Sequence, residues 1–263
     1  MPVRTNQFKK TLATPEARLG LWVTIGSPVT TEICAGSGFD WLLVDAEHGV
    51  NDLASIQAQL QAVSGYPDVS AVVRVPTGRG EVGEMLVKQY LDLGAQSILV
   101  PMVDTAEQAE RIVQAARYPG TDGTGGTRGI GGARAARWGR DADYLQQANA
   151  EVCIIVQAET ALSLDNLEEI VAVDGVDGVL IGPSDLSASL GHLGDAAHPD
   201  VLKAIDAAIG VILAGGKAAG IMTLDDGTAR MALASGATFV AVGTDAHALA
   251  AMTSQMHASF ADC

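Results

Sequence analysis

The chain has 263 residues, enough for one barrel of about 250 residues or for two small domains. Thirty-one acidic residues against 16 basic ones give a formal charge of −15, which argues against nucleic acid or an anionic membrane as partner. Hydrophobic residues make up 48% of the chain, ample for a large core, yet no apolar run approaches the ~18 residues of a membrane span.

The first ten residues are polar and basic without an apolar centre, so no signal peptide is expected. Three widely spaced cysteines, Cys34, Cys153 and Cys263, form no CxxC pair, and the first two sit among apolar residues. They read as core residues of a protein in a reducing compartment, and the expectation is a cytoplasmic location.

Eight short apolar runs follow along the chain, at residues 19–25, 41–47, 71–75, 97–103, 152–159, 178–181, 218–223 and 239–244. Most are too short for helices and are bounded by Gly, Pro or Asp, so they read as buried parallel strands. Helix-like stretches lie at 30–37, 51–64, 81–93, 105–117, 163–171, 199–214 and 228–234, and a closing helix at 247–260. Asp104 and Ser163 are the expected N-caps, and Gly94 and Gly236 the expected helix stops. Eight alternations predict a single-domain (β/α)8 TIM barrel over residues 1–263. An open doubly wound sheet is the alternative, but no G-x-G-x-x-G follows a strand and no Walker A motif is present. The glycine-rich stretch at 120–132 has no phosphate-cradle spacing and is expected to be a mobile loop at the catalytic end.

In this fold chemistry sits where strands end. The second strand runs into Asp45-Ala46-Glu47-His48-Gly49, where Asp45 and Glu47 share a face and His48 stands at the mouth. A lone histidine is more often structural, but two adjacent carboxylates favour a catalytic base. The third ends in Val73-Arg74-Val75-Pro76, and an arginine after an apolar run demands an anion, either Asp45 or Glu47 or a substrate oxyanion. Val156-Gln157-Ala158-Glu159 and Ile181-Gly182-Pro183-Ser184-Asp185 are strands ending in oxygen ligands, which suit Mg²⁺ or Mn²⁺ better than zinc. Taken alone, such a pair is as readily a salt-bridge network at the rim. The N–H groups around Ser184 and Asp185 can face a carboxylate. This ensemble fits a 2-oxo acid chelated by a metal and enolised. None of the five lysines ends a predicted strand, which disfavours a Schiff base.

These motifs resemble the HpcH/HpaI aldolase family of metal-dependent class II pyruvate aldolases. The likeness runs from Gly20-Leu21-Trp22 through Asp45-x-Glu47-His48, Val72-Val73-Arg74 and Val100-Pro101-Met102-Val103. It continues in Gln157-Ala158-Glu159, Gly182-Pro183-x-Asp185 and Val240-Ala241-Val242-Gly243. The resemblance implies Glu159 and Asp185 as ligands of Mg²⁺, Mn²⁺ or Co²⁺. It implies a substrate pocket of Gln157, Asp185 and the backbone at Gly182 and Ser184, with Asp45 beside it. Arg74 would stabilise the enolate, and His48 would be a base acting through a water. An aspartate that sharpens the histidine matches Asp92. By the predicted topology Asp92 ends a helix running to the opposite end of its barrel, so contact with His48 needs a neighbouring subunit or an indirect route. The resemblance further implies a homo-oligomer, usually a hexamer with the last helix exchanged.

Ala46 stands where glycine is usual, and Ser184, where alanine is common, adds a hydroxyl that favours hydroxypyruvate over pyruvate. The expected function is aldol addition or cleavage of 4-hydroxy-2-oxo acids, with a 2-oxo acid and an aldehyde as partners. Two alternatives stand beside it. One is a CoA-thioester lyase, for which Arg128, Arg134, Arg137 and Arg140 offer the only basic cluster. The other is a non-catalytic barrel that binds small acids.

Overall fold

The computed structural model describes residues 5–120 and 125–261. Cys263, the first four residues and part of the glycine-rich stretch lie outside the described residues. Eight parallel strands close into a barrel in chain order. They are β1 (Arg18–Val23), β2 (Trp41–Asp45), β3 (Ser70–Arg74), β4 (Ser97–Val100), β5 (Cys153–Ala158), β6 (Gly178–Ile181), β7 (Ala218–Met222) and β8 (Phe239–Thr244). All eight expected strands are present, and the structure is the expected (β/α)8 barrel. Several stop short of their expected ends because the chain turns to make the site. β2 ends at Asp45, whose Oδ1 accepts the Glu47 N–H at 3.0 Å, and β4 ends before Met102, which lies at φ 56°.

Successive residues of a strand face opposite sides of the sheet, and two apolar clusters follow from this. Leu43, Val72, Leu99, Ile155 and Leu180 point into the barrel. Their neighbours Val44, Val73, Ile98, Ile154 and Val179 point out against the helices. By the same parity Asp45, Arg74, Gln157 and Glu159 fall on the inward side, at the C-terminal end.

At the other end an aromatic plug fills the barrel. Helix α1 (Gln7–Leu12) carries Phe8, whose ring centroid lies 5.5 Å from that of Trp41 and 6.0 Å from that of Phe239. Glycines in two strands make room for it: a Cβ on Gly20 would lie 2.2 Å from the Trp41 ring, and one on Gly220 2.1 Å from Phe239. Buried Asn6 anchors the helix, accepting from the Lys9 N–H at 3.1 Å and donating to Ser97 Oγ at 3.0 Å. Six residues are too few to show a helical period, and α1 was not expected from the sequence.

The outer helices are α2 (Pro28–Ala35), α3 (Leu53–Val63), α4 (Gly80–Asp92), α5 (Ala106–Ala116), α6 (Tyr144–Glu151), α7 (Ala161–Asp165), α8 (Leu167–Ala172), α9 (Pro183–Ser189), α10 (Pro199–Ala214), α11 (Asp226–Ala234) and α12 (Asp245–Ala258). Gly94 and Gly236 stop α4 and α11 as expected, at φ 96° and 100°, where only glycine is unstrained. The expected caps are each displaced. Thr105, not Asp104, caps α5, because Asp104 Oδ1 accepts from Thr160 Oγ1 at 2.6 Å. Thr160, not Ser163, caps α7, with Ser163 as the reciprocal member of a capping box. The helix expected at 163–171 is two helices meeting at Asn166, whose amide donates to the Asp104 carbonyl at 2.8 Å.

The described part of the glycine-rich stretch, residues 120 and 125–132, is at the opposite end of the barrel from the one expected. It follows a helix, so the chain has already returned to the N-terminal ends of the strands. Thr127 N–H donates to the Gln114 carbonyl at 2.8 Å, and Arg134 Nη1 to the Leu93 carbonyl at 2.6 Å. Cys153 is fully buried and Cys34 partly so, as expected of core residues. Among the described residues no helix is long and apolar enough to cross a membrane.

Removing the plug's central ring tests this end of the barrel. Phe8→Ala is expected to cost about 3–5 kcal/mol, the usual range for a buried phenylalanine, read as a lower urea midpoint at unchanged slope. A loss below about 1 kcal/mol would show that α1 contributes little to barrel stability.

Candidate active site

The β2–β3 register pairs Asp45 with Arg74 directly, so both side chains leave the sheet at one level. Arg74 Nε donates to Asp45 Oδ1 and Nη2 to Asp45 Oδ2, each at 2.7 Å, and Nη1 lies 2.8 Å from Glu47 Oε2. The guanidinium lies over the Trp22 ring, 4.2 Å from its centroid. Arg74 and Asp45 are 4% and 1% exposed, so the pair is sealed from water and the guanidinium plane is fixed. Both carboxylates named as its expected partners bind it. A guanidinium has five N–H donors, and three are used here, which leaves two for another acceptor.

Glu159 stands across the barrel end on the residue after β5, 2% exposed. Its Oε1 accepts the Met102 N–H at 2.8 Å, and its Oε2 accepts from Gln157 Nε2. Burial pushes the Glu159 carboxyl up to about 7, the negative charges of Asp185 and Glu47 add to the rise, and the Met102 and Gln157 hydrogen bonds oppose it. Burial likewise raises Glu47, with Asp45 and Asp185 adding and Arg74 and His48 opposing. These couplings place Glu47, Glu159 and Asp185 around one region. Asp185, in the first turn of α9, is exposed there, and so are Ser184 and His48.

Gly182 contributes space. A Cβ on it would lie 2.5 Å from Glu159 Oε2 and 2.9 Å from Gln157 Nε2, so only glycine lets α9 approach the two side chains. Its N–H already donates to the Ala158 carbonyl at 3.2 Å. The donors left to face a ligand are those of Ser184 and Asp185, which precede the first intrahelical bond.

A hard divalent cation fits this donor set. Glu159, Asp185 and Glu47 offer carboxylate oxygens and Gln157 an amide at this end of the barrel, with no thiolate among them, and burial holds the Glu159 carboxyl above its ordinary value. Gln157 Oε1 is buried without a partner, an unmet acceptor that costs about 1–3 kcal/mol and awaits a ligand.

Asp92 is not brought to His48. It closes α4 at the far end of the barrel, where Arg128 Nη2 donates to it at 2.7 Å. Arg128 is itself buried over the Tyr118 ring at 4.5 Å, Arg134 lies beside Leu93, and Arg140 lies over the Trp138 ring. The basic cluster is therefore at the end away from the site. Two contributors escaped the sequence reading. Met102 acts through its backbone, held in a left-handed conformation that costs a non-glycine residue about 1 kcal/mol or more, and no residue type signals it. Trp22 supports Arg74 with its ring, and inward parity with Gly20 on β1 was the available signal.

Comparison with known proteins accords with this geometry. The sequence profile of the HpcH/HpaI aldolase/citrate lyase family matches residues 18–251. A 4-hydroxy-2-oxovalerate aldolase of Rhodococcus jostii is 54% identical, over 97% of this chain and 96% of its own. A hydroxypyruvate/pyruvate aldolase of Deinococcus radiodurans is 55% identical, over 98% and 91%. The crystal structure of an HpcH/HpaI aldolase/citrate lyase family protein from Burkholderia cenocepacia superposes with a TM-score of 0.92 at 39% identity, covering 97% of this chain and 99% of that one. With profile, sequence and fold agreeing over nearly its whole length, the chain belongs to the HpcH/HpaI aldolase/citrate lyase family.

Proposed function

We propose that the protein is a class II aldolase that makes or cleaves 4-hydroxy-2-oxo acids, with pyruvate or hydroxypyruvate as the enolate donor and an aldehyde as the acceptor. The observation that carries this reading is the buried Arg74 fork, with two donors to spare, at the same end of the barrel as a desolvated Glu159 coupled to Asp185. Glu159 and Asp185 are the residues to hold Mg²⁺, Mn²⁺ or Co²⁺, which would polarise the keto oxygen of the 2-oxo acid.

The chain's own groups do the rest. The N–H groups of Ser184 and Asp185 orient the substrate carboxylate, and Gln157 meets it from the β5 side. Arg74 aims its remaining N–H groups at the oxygen that gains charge as the enolate forms. Asp45 is sealed against Arg74, so it acts on the substrate through that residue. His48, at the open mouth beside Glu47, removes the C3 proton through a water and returns it to the product. Asp92 enters this scheme only across a subunit boundary, since within its own chain Arg128 holds it at the far end. The exposed Ser184 hydroxyl supports hydroxypyruvate as a donor.

The same reading makes the protein a cytoplasmic homo-oligomer, a hexamer with α12 exchanged. Leu249, Met252, Met256 and Phe260 form one stripe of α12 and its end, each more than half exposed, which supports burial by another copy. A CoA-thioester lyase is disfavoured, because the arginines needed for its phosphates lie at the wrong end.

The direct test is a retro-aldol screen over 4-hydroxy-2-oxo acids with 2-oxo-acid detection. Chelation should abolish turnover and Mn²⁺ or Mg²⁺ should restore it; chelator-insensitive turnover, or none with any substrate, would sink the proposal. Arg74→Lys keeps a charge against Asp45 but loses the fork. It is expected to slow pyruvate C3 proton exchange in deuterated water by about 10²–10³-fold while Mn²⁺ still binds. Exchange within tenfold of wild type would remove Arg74 from its assigned role.

Metal removal should also leave a pH signature. In the folded metal-free chain Glu159 holds its proton up to about pH 7, against 4.5 for an ordinary glutamate. The folded state then binds more protons than the unfolded one, so stability falls as pH rises from about 5 to 8. Melting of the chelated protein should show this fall, Glu159→Gln should flatten it, and Mn²⁺ should offset it at pH 8. An equal slope in the variant would assign the fall to other groups.

A further inference from the structure

Outside the barrel mouth, the loop from α9 to α10 gathers three metal-ligating side chains. The ligand atoms of His192, His198 and Asp200 all lie within 4.8 Å of one another, the one such His, Cys, Asp or Glu trio among the described residues. The backbone builds the cluster. Gly191 and Gly194 turn the chain at φ 85° and 82°. The His192 N–H donates to the Ser187 carbonyl at 2.7 Å, the Asp195 N–H to the His192 carbonyl at 2.9 Å, and the His198 N–H to the Asp195 carbonyl at 3.1 Å. These turns stack the two imidazoles with centroids 3.6 Å apart and planes 15° apart.

Asp200 completes the group from the first turn of α10. Its Oδ2 lies 3.4 Å from His192 Nε2 and 3.7 Å from His198 Nδ1. Bonds of about 2.0–2.2 Å to zinc place the corners of a tetrahedron roughly 3.3–3.6 Å apart, so the 3.4 Å separation has that spacing and the 3.7 Å one lies just beyond it. Two imidazoles and a carboxylate make a ligand set of borderline softness. His198 Nδ1 now accepts the Asp200 N–H at 3.2 Å, a long bond that a cation would displace. The rings are partly exposed, and a shared cation would require them to turn until their lone pairs converge.

We propose that His192, His198 and Asp200 form a second cation site, which takes Zn²⁺ or a similar transition metal and is distinct from the all-carboxylate mouth. Three protein ligands leave a fourth position for water. The partial positive charge at the start of α10 opposes a cation, while Asp200 and the chain's charge of −15 favour one. A bound ion would tie the start of α10 to the loop leaving α9, the helix that carries Asp185.

The test counts ions. Tag-free, chelator-treated protein is saturated with Mg²⁺ and dialysed against micromolar Zn²⁺, with wild type beside His192→Gln and His198→Asn. Asparagine is a good helix cap, so the second variant preserves the start of α10. Each variant is expected to bind one Zn²⁺ fewer per chain than wild type and to keep its Mg²⁺-dependent turnover. Equal zinc counts in wild type and both variants would overturn the site. The count is a difference between proteins that share the same mouth, so it stands or falls independently of the aldolase reading.

Discussion

A guanidinium sealed inside a barrel is tolerable only where anions meet it in the plane of its N–H groups, and Arg74 meets two. Removing one partner of such a pair strands the other charge at a cost of about 3–5 kcal/mol, so the β2–β3 register that sets Asp45 beside Arg74 is fixed by electrostatics as well as by packing. The Trp22 ring closes one face of the guanidinium, and two of its donors are left for a further acceptor.

The other acids at this end of the barrel carry an opposite constraint. Burial first, and then the negative charges of Asp185 and Glu47, push the Glu159 carboxyl up to about 7 in a partly dry site. A divalent ion would oppose that rise. The left-handed backbone at Met102 and the missing side chain at Gly182 serve the same end, since one aims an N–H at Glu159 and the other lets α9 come close. Local strain is accepted where it shapes a site.

Much of this was legible in the sequence, for reasons visible in particular residues. Strands buried on both faces read as unbroken apolar runs, so all eight were placed, and polar residues ending such runs marked Arg74, Gln157 and Glu159. Helices with a glycine stop, α4 and α11, were equally clear. What escaped depended on geometry that residue type does not encode. α1 is too short for a period, Met102 acts through a backbone angle, and capping of α5 passed to Thr105 because a tertiary hydrogen bond had claimed Asp104. The glycine-rich stretch was set at the wrong end although its place after a helix already fixed the right one. Gln114, whose carbonyl accepts from the Thr127 N–H, lies near the end of a helix returning to the barrel base.

The central claim is that Glu159 and Asp185 grip one ion within reach of Arg74. Mn²⁺ binding to the chelated protein, followed by electron paramagnetic resonance in wild type, Glu159→Gln and Asp185→Asn, tests it most directly. The account predicts that either substitution weakens Mn²⁺ binding at the mouth by at least tenfold and that pyruvate perturbs the wild-type signal alone. Unchanged Mn²⁺ affinity in either variant, with the wild-type response to pyruvate retained, would contradict it.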